Sequence, residues 1–265
     1  MTAVTHRNWE RFTPAQRLGR FATYLALAVA VALSLRTVEV IPEFLYDAPE
    51  QVMDLARRLW PPDIAYAPTV QRALLETLHI ATLGTLLSVV MAVPVALLAA
   101  RCITPFRGLN WLAKLVLVSS RSVNSLVWAL LFVAVFGPGA LAGVLAIAFR
   151  SVGFVGKLLS EALEETAHGP VEALRAAGAP WLSIMTKAYW PQVQPAFWSI
   201  ALFRWDINVR ESAVLGLVGA GGIGLVLNSA MDLFQWDRVA TALIAIFAVV
   251  VLAEVFVTHV RKRLL

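Results

Sequence analysis

The chain is 265 residues long, 59% of them hydrophobic and 15% charged, with a mean hydropathy of +0.74. That balance excludes a disordered chain and an ordinary soluble domain, and it describes a polytopic membrane protein. The formal charge of +5 is distributed between apolar segments and not gathered on one soluble face, which argues against a nucleic-acid partner.

A bilayer-spanning helix needs roughly 20 mostly apolar residues. Six candidates follow along the chain: Phe21 to Ile41, Val70 to Ala100, Leu115 to Phe136, Ala140 to Leu159, Gln192 to Val218 and Val239 to Val260. The expected fold is therefore an all-α integral membrane protein with about six transmembrane helices. Residues 1–20 form an N-terminal segment, and residues 21–265 one membrane domain with a loop at about 42–69 and another at about 161–191. The first span has an Arg-bearing front, like a signal peptide, and a cleavage-like Ala28-Val29-Ala30. Hydrophobicity continues through Val38 to Ile41, which predicts a retained helix.

In the first loop Val52, Leu55, Ala56 and Leu59 share a helical face suited to the membrane surface, and Trp60, Pro61 and Pro62 end that helix. Pro94 removes a backbone donor from the second span and predicts a kink. Gly137-Pro138-Gly139 is a compact turn that makes the third and fourth spans a hairpin.

Charges inside the spans are expensive and are functional candidates by default. Helical spacing places Arg121, Asn124, Ser125 and Trp128 on one face of the third span, and Arg150, Ser151 and Phe154 on one face of the fourth. Arg150 lies about 16 Å from the Pro138-Gly139 turn at 1.5 Å per residue, close to mid-membrane. On the fifth span Arg204, Asn208 and Glu211 align at i, i+4 and i+7, while Asp206 and Arg210 form an adjacent i, i+4 pair. Four arginines against Asp206 and Glu211 leave two positive charges to attract an oxyanion, which guanidinium groups bind through paired donors. The alternative is that Asp206 neutralises Arg210, and that Glu211 holds Arg204 or Arg121 to fix helix packing.

Between the fourth and fifth spans lies a polar island, Glu172-Ala173-Leu174-Arg175-Ala176-Ala177-Gly178, followed by Pro191. Pro170 suits the first position of a short helix, Gly178 its left-handed stop, and Pro180 the start of a second helix running toward Pro191. The spacing resembles the cytoplasmic loop of ABC importer permeases: Glu-Ala-Ala, three residues, Gly, nine residues, Ile, one residue, Leu, Pro. Leu174, Ala188 and Trp190 replace three of the usual residues. Asp206 to Ser212 and Gly219-Ala220-Gly221-Gly222-Ile223-Gly224, with Gly84-Thr85 and Pro94, resemble the phosphonate-transport permease family over about Leu74 to Leu265.

The resemblance implies a type I importer permease that carries a phosphonate or related phosphorus oxyanion inward and is not an enzyme. Glu172, Ala173, Ala176, Ala177, Gly178 and Pro191 would couple it to the ATPase. Arg121, Asn124, Ser125, Arg150, Arg204, Asn208 and Arg210 would line the substrate path. Gly219, Gly221, Gly222 and Gly224 would form a bend at the outer mouth. The implied partners are two ABC ATPase subunits, a second copy of this permease, an extracytoplasmic phosphonate-type binding protein and membrane lipid. ATP and Mg belong on the partner, because this chain has no phosphate loop: Gly156-Lys157 is followed by Leu158. The Gly219 to Gly224 run satisfies a dinucleotide fingerprint but lacks the surrounding βαβ unit.

Basic residues set the orientation. Arg7, Arg11, Arg17 and Arg20 precede the first span, Arg101, Arg107 and Lys114 follow the second, Lys157, Arg175 and Lys187 border the polar island, and Arg261, Lys262 and Arg263 close the chain. All fall on one side of six spans, so both termini and the polar loop should be cytoplasmic in a plasma membrane. His6, His79, His168 and His259 have no metal-ligand spacing, and the single cysteine, Cys102, permits no disulfide or cysteine cluster. Competing readings are a permease for phosphate, phosphite or an amino acid, an ion-coupled secondary transporter and a passive channel.

Overall fold

The computed structural model describes residues 12–38 and 42–264, so His6, Arg7, Arg11, Ile41 and Leu265 of the expectations above lie outside the described residues. The chain divides into two compact units, 1–56 and 57–265. In the first, α1 (Pro14–Thr37) exposes Leu18, Phe21, Leu25, Val31 and Leu35 around its circumference, the surface of a helix whose solvent is lipid. Helix α2 (Pro42–Leu59) begins in the same unit and carries the expected face of Val52, Leu55 and Ala56.

The second unit is a helical bundle around α6. A 3₁₀ turn (Ile64–Tyr66) leads into α3 (Ala67–Ala99), and Asp63 holds this entry by accepting from the Ala65 N–H at 3.0 Å and from Arg238 Nε at 3.3 Å. Helix α3 continues through Pro94 to Ala99 without a break. Next come α4 (Arg107–Ser122), α5 (Ser125–Phe136), α6 (Ala140–Glu164), α7 (His168–Ala176) and α8 (Trp181–Ile184). A π turn (Met185–Tyr189) joins α8 to α9 (Trp190–Leu215). A 3₁₀ turn (Gly216–Val218), α10 (Ile223–Asp232) and α11 (Trp236–Leu264) complete the described chain. Small residues let α6 be enclosed. Any Cβ at Gly153 would overlap the Leu117 carbonyl of α4, and one at Gly84 of α3 would sit 2.7 Å from the Ile147 side chain.

Among the described residues four helices are long and apolar enough to span a membrane, and the count reaches six if each of two bent pairs is one span. The expected third span is such a pair: α4 and α5 meet at 89°. Val123 is extended, and Asn124 accepts the Leu126 N–H at 3.1 Å on its side-chain oxygen. Asn124 is thus an N-cap, and a side chain that bonds its own backbone stops one helix and starts the next. Arg121 consequently ends α4 while Asn124 and Ser125 open α5, so the shared face expected of these residues does not exist.

The helix expected to start at Pro180 and run toward Pro191 continues past it, through the π turn and into α9 as one rod. Pro191 has no N–H to return to the preceding turn, and the chain absorbs the defect in the wider turn, where the Trp190 N–H bonds the Met185 carbonyl.

Candidate functional site

The faces of α6 and α9 that the sequence marks as polar meet each other. Arg204 Nε donates to Ser151 Oγ at 2.8 Å, Ser151 Oγ donates to Asn208 Oδ1 at 3.2 Å, and Asn208 Nδ2 donates to Thr85 Oγ1 at 2.8 Å. Thr85 Oγ1 in turn donates to the Ala81 carbonyl at 2.6 Å. The chain of donors crosses from α9 to α6 and ends on α3, and Arg204, Ser151, Asn208 and Thr85 are all buried. Buried polar groups of this kind must be paired, and here each donor has its acceptor. The Arg204 guanidinium also lies 5.4 Å from the Phe154 ring centroid.

Glu211 closes this seam. Its Oε2 is 3.5 Å from Arg204 Nη2, and its Oε1 pairs with Arg150 Nη1. One carboxylate therefore serves two guanidinium groups. The acid that Arg150 lacks in its own stretch of sequence comes from α9, 61 residues away. Arg210 pairs with Asp206 one turn earlier on the same helix, so the four-arginine surplus is not one pool. Arg121, exposed at the end of α4, makes no ion pair among the described residues. It lines a separate cleft of about 190 Å³ with Lys114, Lys157, Glu161 and Glu164. The structure thus brings together Arg150, Arg204 and Asn208, and leaves Arg121, Asn124, Ser125 and Arg210 outside that cluster. Thr85 is the partner that helix-by-helix spacing missed, and its place beside the close-packing Gly84 is the available signal.

Just beyond the C-terminal end of α9, Gly219, Gly221 and Gly222 all take positive φ, of 86°, 83° and 74°, and turn the chain into α10 at 41°. The Ile223 N–H, freed at the start of α10, donates to Thr77 Oγ1 at 2.8 Å, and the Gly219 carbonyl accepts from the Gly139 N–H at 2.9 Å. Gly224 packs where a Cβ would lie 2.7 Å from Gly216 Cα. These contacts fasten the bend to α3 and to the Gly137–Gly139 turn.

The α6–α9 connection forms an elbow. Helix α7 buries Val171 and partly buries Leu174 against an apolar cluster with Leu163, Ile184 and Tyr189. Its opposite face exposes Glu172, Ala173, Ala176 and Ala177. Gly178 stops it with φ 72°, a left-handed conformation that disfavours any side chain. Gln192 pins the elbow to α9 by accepting the Ala167 N–H at 2.9 Å, and Pro191 beside it is exposed. Nearby, burial pushes the Cys102 thiol above its ordinary pKa, opposed by a hydrogen bond with Tyr189.

Residues 92–265 match the family described as binding-protein-dependent transport system inner membrane component. The chain is 41% identical over 212 residues to a phosphite transport system permease protein of Stutzerimonas stutzeri, covering 80% of this chain and 77% of that protein. It is 36% identical over 236 residues to a phosphate-import permease protein of Mycolicibacterium smegmatis, covering 89% of this chain and 44% of that longer protein. Its fold is similar to that of an inward-facing MetNI methionine ABC transporter, with a TM-score of 0.67, 23% identity and coverage of 77% of this chain and 99% of that one.

Proposed function

This chain belongs to the family of binding-protein-dependent transport system inner membrane components, and we propose that it carries a phosphonate or related phosphorus oxyanion inward through the α6–α9 seam. It is a permease subunit of an ABC importer, and ATP hydrolysis belongs to a separate partner. The observation that carries the oxyanion reading is the convergence of Arg150 and Arg204 on one carboxylate inside the spans. Two guanidinium groups aimed at one pair of oxygens are the arrangement that phosphorus oxyanions bind. The phosphite and phosphate names of two similar permeases support the same cargo class.

In this reading two ATPase subunits dock on the exposed alanines of α7, a second copy of the chain completes the path, and a binding protein delivers cargo from outside. Both termini and the elbow face the cytoplasm, where the basic flanks belong. Closure of the ATPases on ATP and Mg presses the elbow, and α6 and α9 tilt between outward and inward openings. Asn208 positions Arg204, while Arg121, Asn124, Ser125 and Arg210 line the route on either side of the seam. Gly219 to Gly224 shape its outer mouth.

The test is ATP turnover by the permease, its ATPase and its binding protein in lipid. Phosphonate- or phosphite-loaded binding protein should stimulate turnover, and Gly178→Asp should remove the stimulation. Stimulation by amino-acid-loaded protein alone would replace the cargo class. Association without any cargo response would set aside the α6–α9 path.

A further inference from the structure

We infer that Glu211 is a place-holding anion, occupying between Arg150 and Arg204 the seat that an oxyanion takes in transit and thereby selecting which anions pass. The inference rests on the proposed oxyanion path and assigns a role to a residue outside the expected path set. Its basis is the inequality of the three side chains. Arg204 is 3% exposed and is pinned by Ser151 Oγ at 2.8 Å and by the Phe154 ring. The Arg150 and Glu211 side chains are 28% and 19% exposed. One cation of the seat is fixed and buried, while the other cation and the carboxylate can be reached from outside the seam.

Glu211 is also held by little else. Among the described residues its carboxylate receives hydrogen bonds only from the two arginines. A carboxylate and a tetrahedral oxyanion present two oxygens to guanidinium donors in the same way, so one can replace the other without rebuilding Arg204 or its supports. Charge favours the exchange. Two guanidinium groups and one carboxylate leave a net single positive charge, so the seat remains attractive to an anion while Glu211 occupies it. Without any anion the two cations would repel each other in a medium of low dielectric.

The Arg210–Asp206 pair provides the contrast. It lies within one helix turn, is balanced one to one, and contributes no shared seat between helices. Glu211 therefore acts as a competitor for Arg150 and Arg204: anions that cannot bridge both guanidinium groups do not displace it. Chloride, with one centre and no paired oxygens, fails this requirement, whereas inorganic phosphate and methylphosphonate meet it.

The experiment uses the full permease with its ATPase in lipid nanodiscs, without binding protein, and titrates inorganic phosphate while following thermal stability. Glu211→Gln should lower the phosphate midpoint about tenfold, the change expected when one competing interaction of about 1.4 kcal/mol is removed. Chloride at equal ionic strength should leave both proteins unmoved. Glu211→Asp keeps the charge but shortens its reach to Arg150, and should give an intermediate midpoint even if the glutamine variant fails to assemble. Arg150→Gln should abolish the difference between Glu and Gln at position 211.

A wild-type midpoint in the assembled Glu211→Gln protein overturns the inference, as does a wild-type midpoint in Glu211→Asp. Phosphite uptake by the wild-type complex with binding protein, run in parallel, separates the two failures. Uptake with an unmoved midpoint sinks the place-holder alone, and no uptake of any phosphorus oxyanion sinks the path on which it rests.

Discussion

The α6–α9 seam and the α7 elbow use polar and small residues for opposite ends. Along the seam the run from Arg204 through Ser151 and Asn208 to Thr85 is buried and partnered. At the elbow Val171 and Leu174 are the apolar anchors of the helix, and Ala173, Ala176 and Ala177 face outward, exposed among the described residues. Partnered buried groups resist substitution because an orphaned donor in the membrane has no water to turn to. An exposed alanine face tolerates substitution as a folded structure and loses only what docks there. Stability and coupling should therefore separate by region.

The strongest disruption should come from Gly153→Leu, where the new side chain meets the Leu117 backbone. Overpacking against a carbonyl that cannot move should cost about 3 kcal/mol or more, visible as loss of the monodisperse permease peak in size-exclusion chromatography. Asn208→Leu takes the acceptor from the Ser151 hydroxyl and one donor from Thr85 Oγ1 in a fully buried site, Thr85 keeping its bond to the Ala81 carbonyl. Its cost should be about 2–3 kcal/mol, measured as a lowered melting temperature in detergent. Thr85→Val keeps the shape and removes one acceptor from Asn208, so about 1–2 kcal/mol should be lost by the same measurement. Ala176→Glu should leave stability within about 0.5 kcal/mol of the parent while ATPase co-purification falls away. An elbow substitution that unfolds the protein, or a seam substitution that leaves the melting temperature unchanged, would erase the distinction between the two regions.

What the sequence made legible follows the range of the interaction. The apolar runs around Ala140 and Val239 read directly as spans because their signal is local composition. The elbow was legible for the same reason: Gly178 takes the left-handed conformation that its position after a short helix requires. The break between α4 and α5 was not foreseen. Asn124 could continue a helix or cap a new one, and residue spacing does not decide between the two. Ser120 Oγ on the last turns of α4 donates to the Phe149 carbonyl of α6, a tertiary contact that spacing does not show either. The Arg150–Glu211 pair spans 61 residues, and local periodicity carries no information about a partner on another helix. Arg150 looked unneutralised only because its acid is distant in sequence. The polar faces of α6 and α9 were each readable, but their meeting was a tertiary event.

The unbroken rod from Trp181 to Leu215 adds a mechanical consequence. With no hinge at Pro191, the segment is a lever about 50 Å long, its short arm packed on the Val171 and Leu174 face of α7 and its long arm carrying Arg204 and Glu211. Arg150 sits on a different beam, α6. If a docked ATPase presses the elbow as proposed, a small angular displacement there would be magnified with distance along the rod, and Glu211 would travel farther against Arg150 than the point of contact.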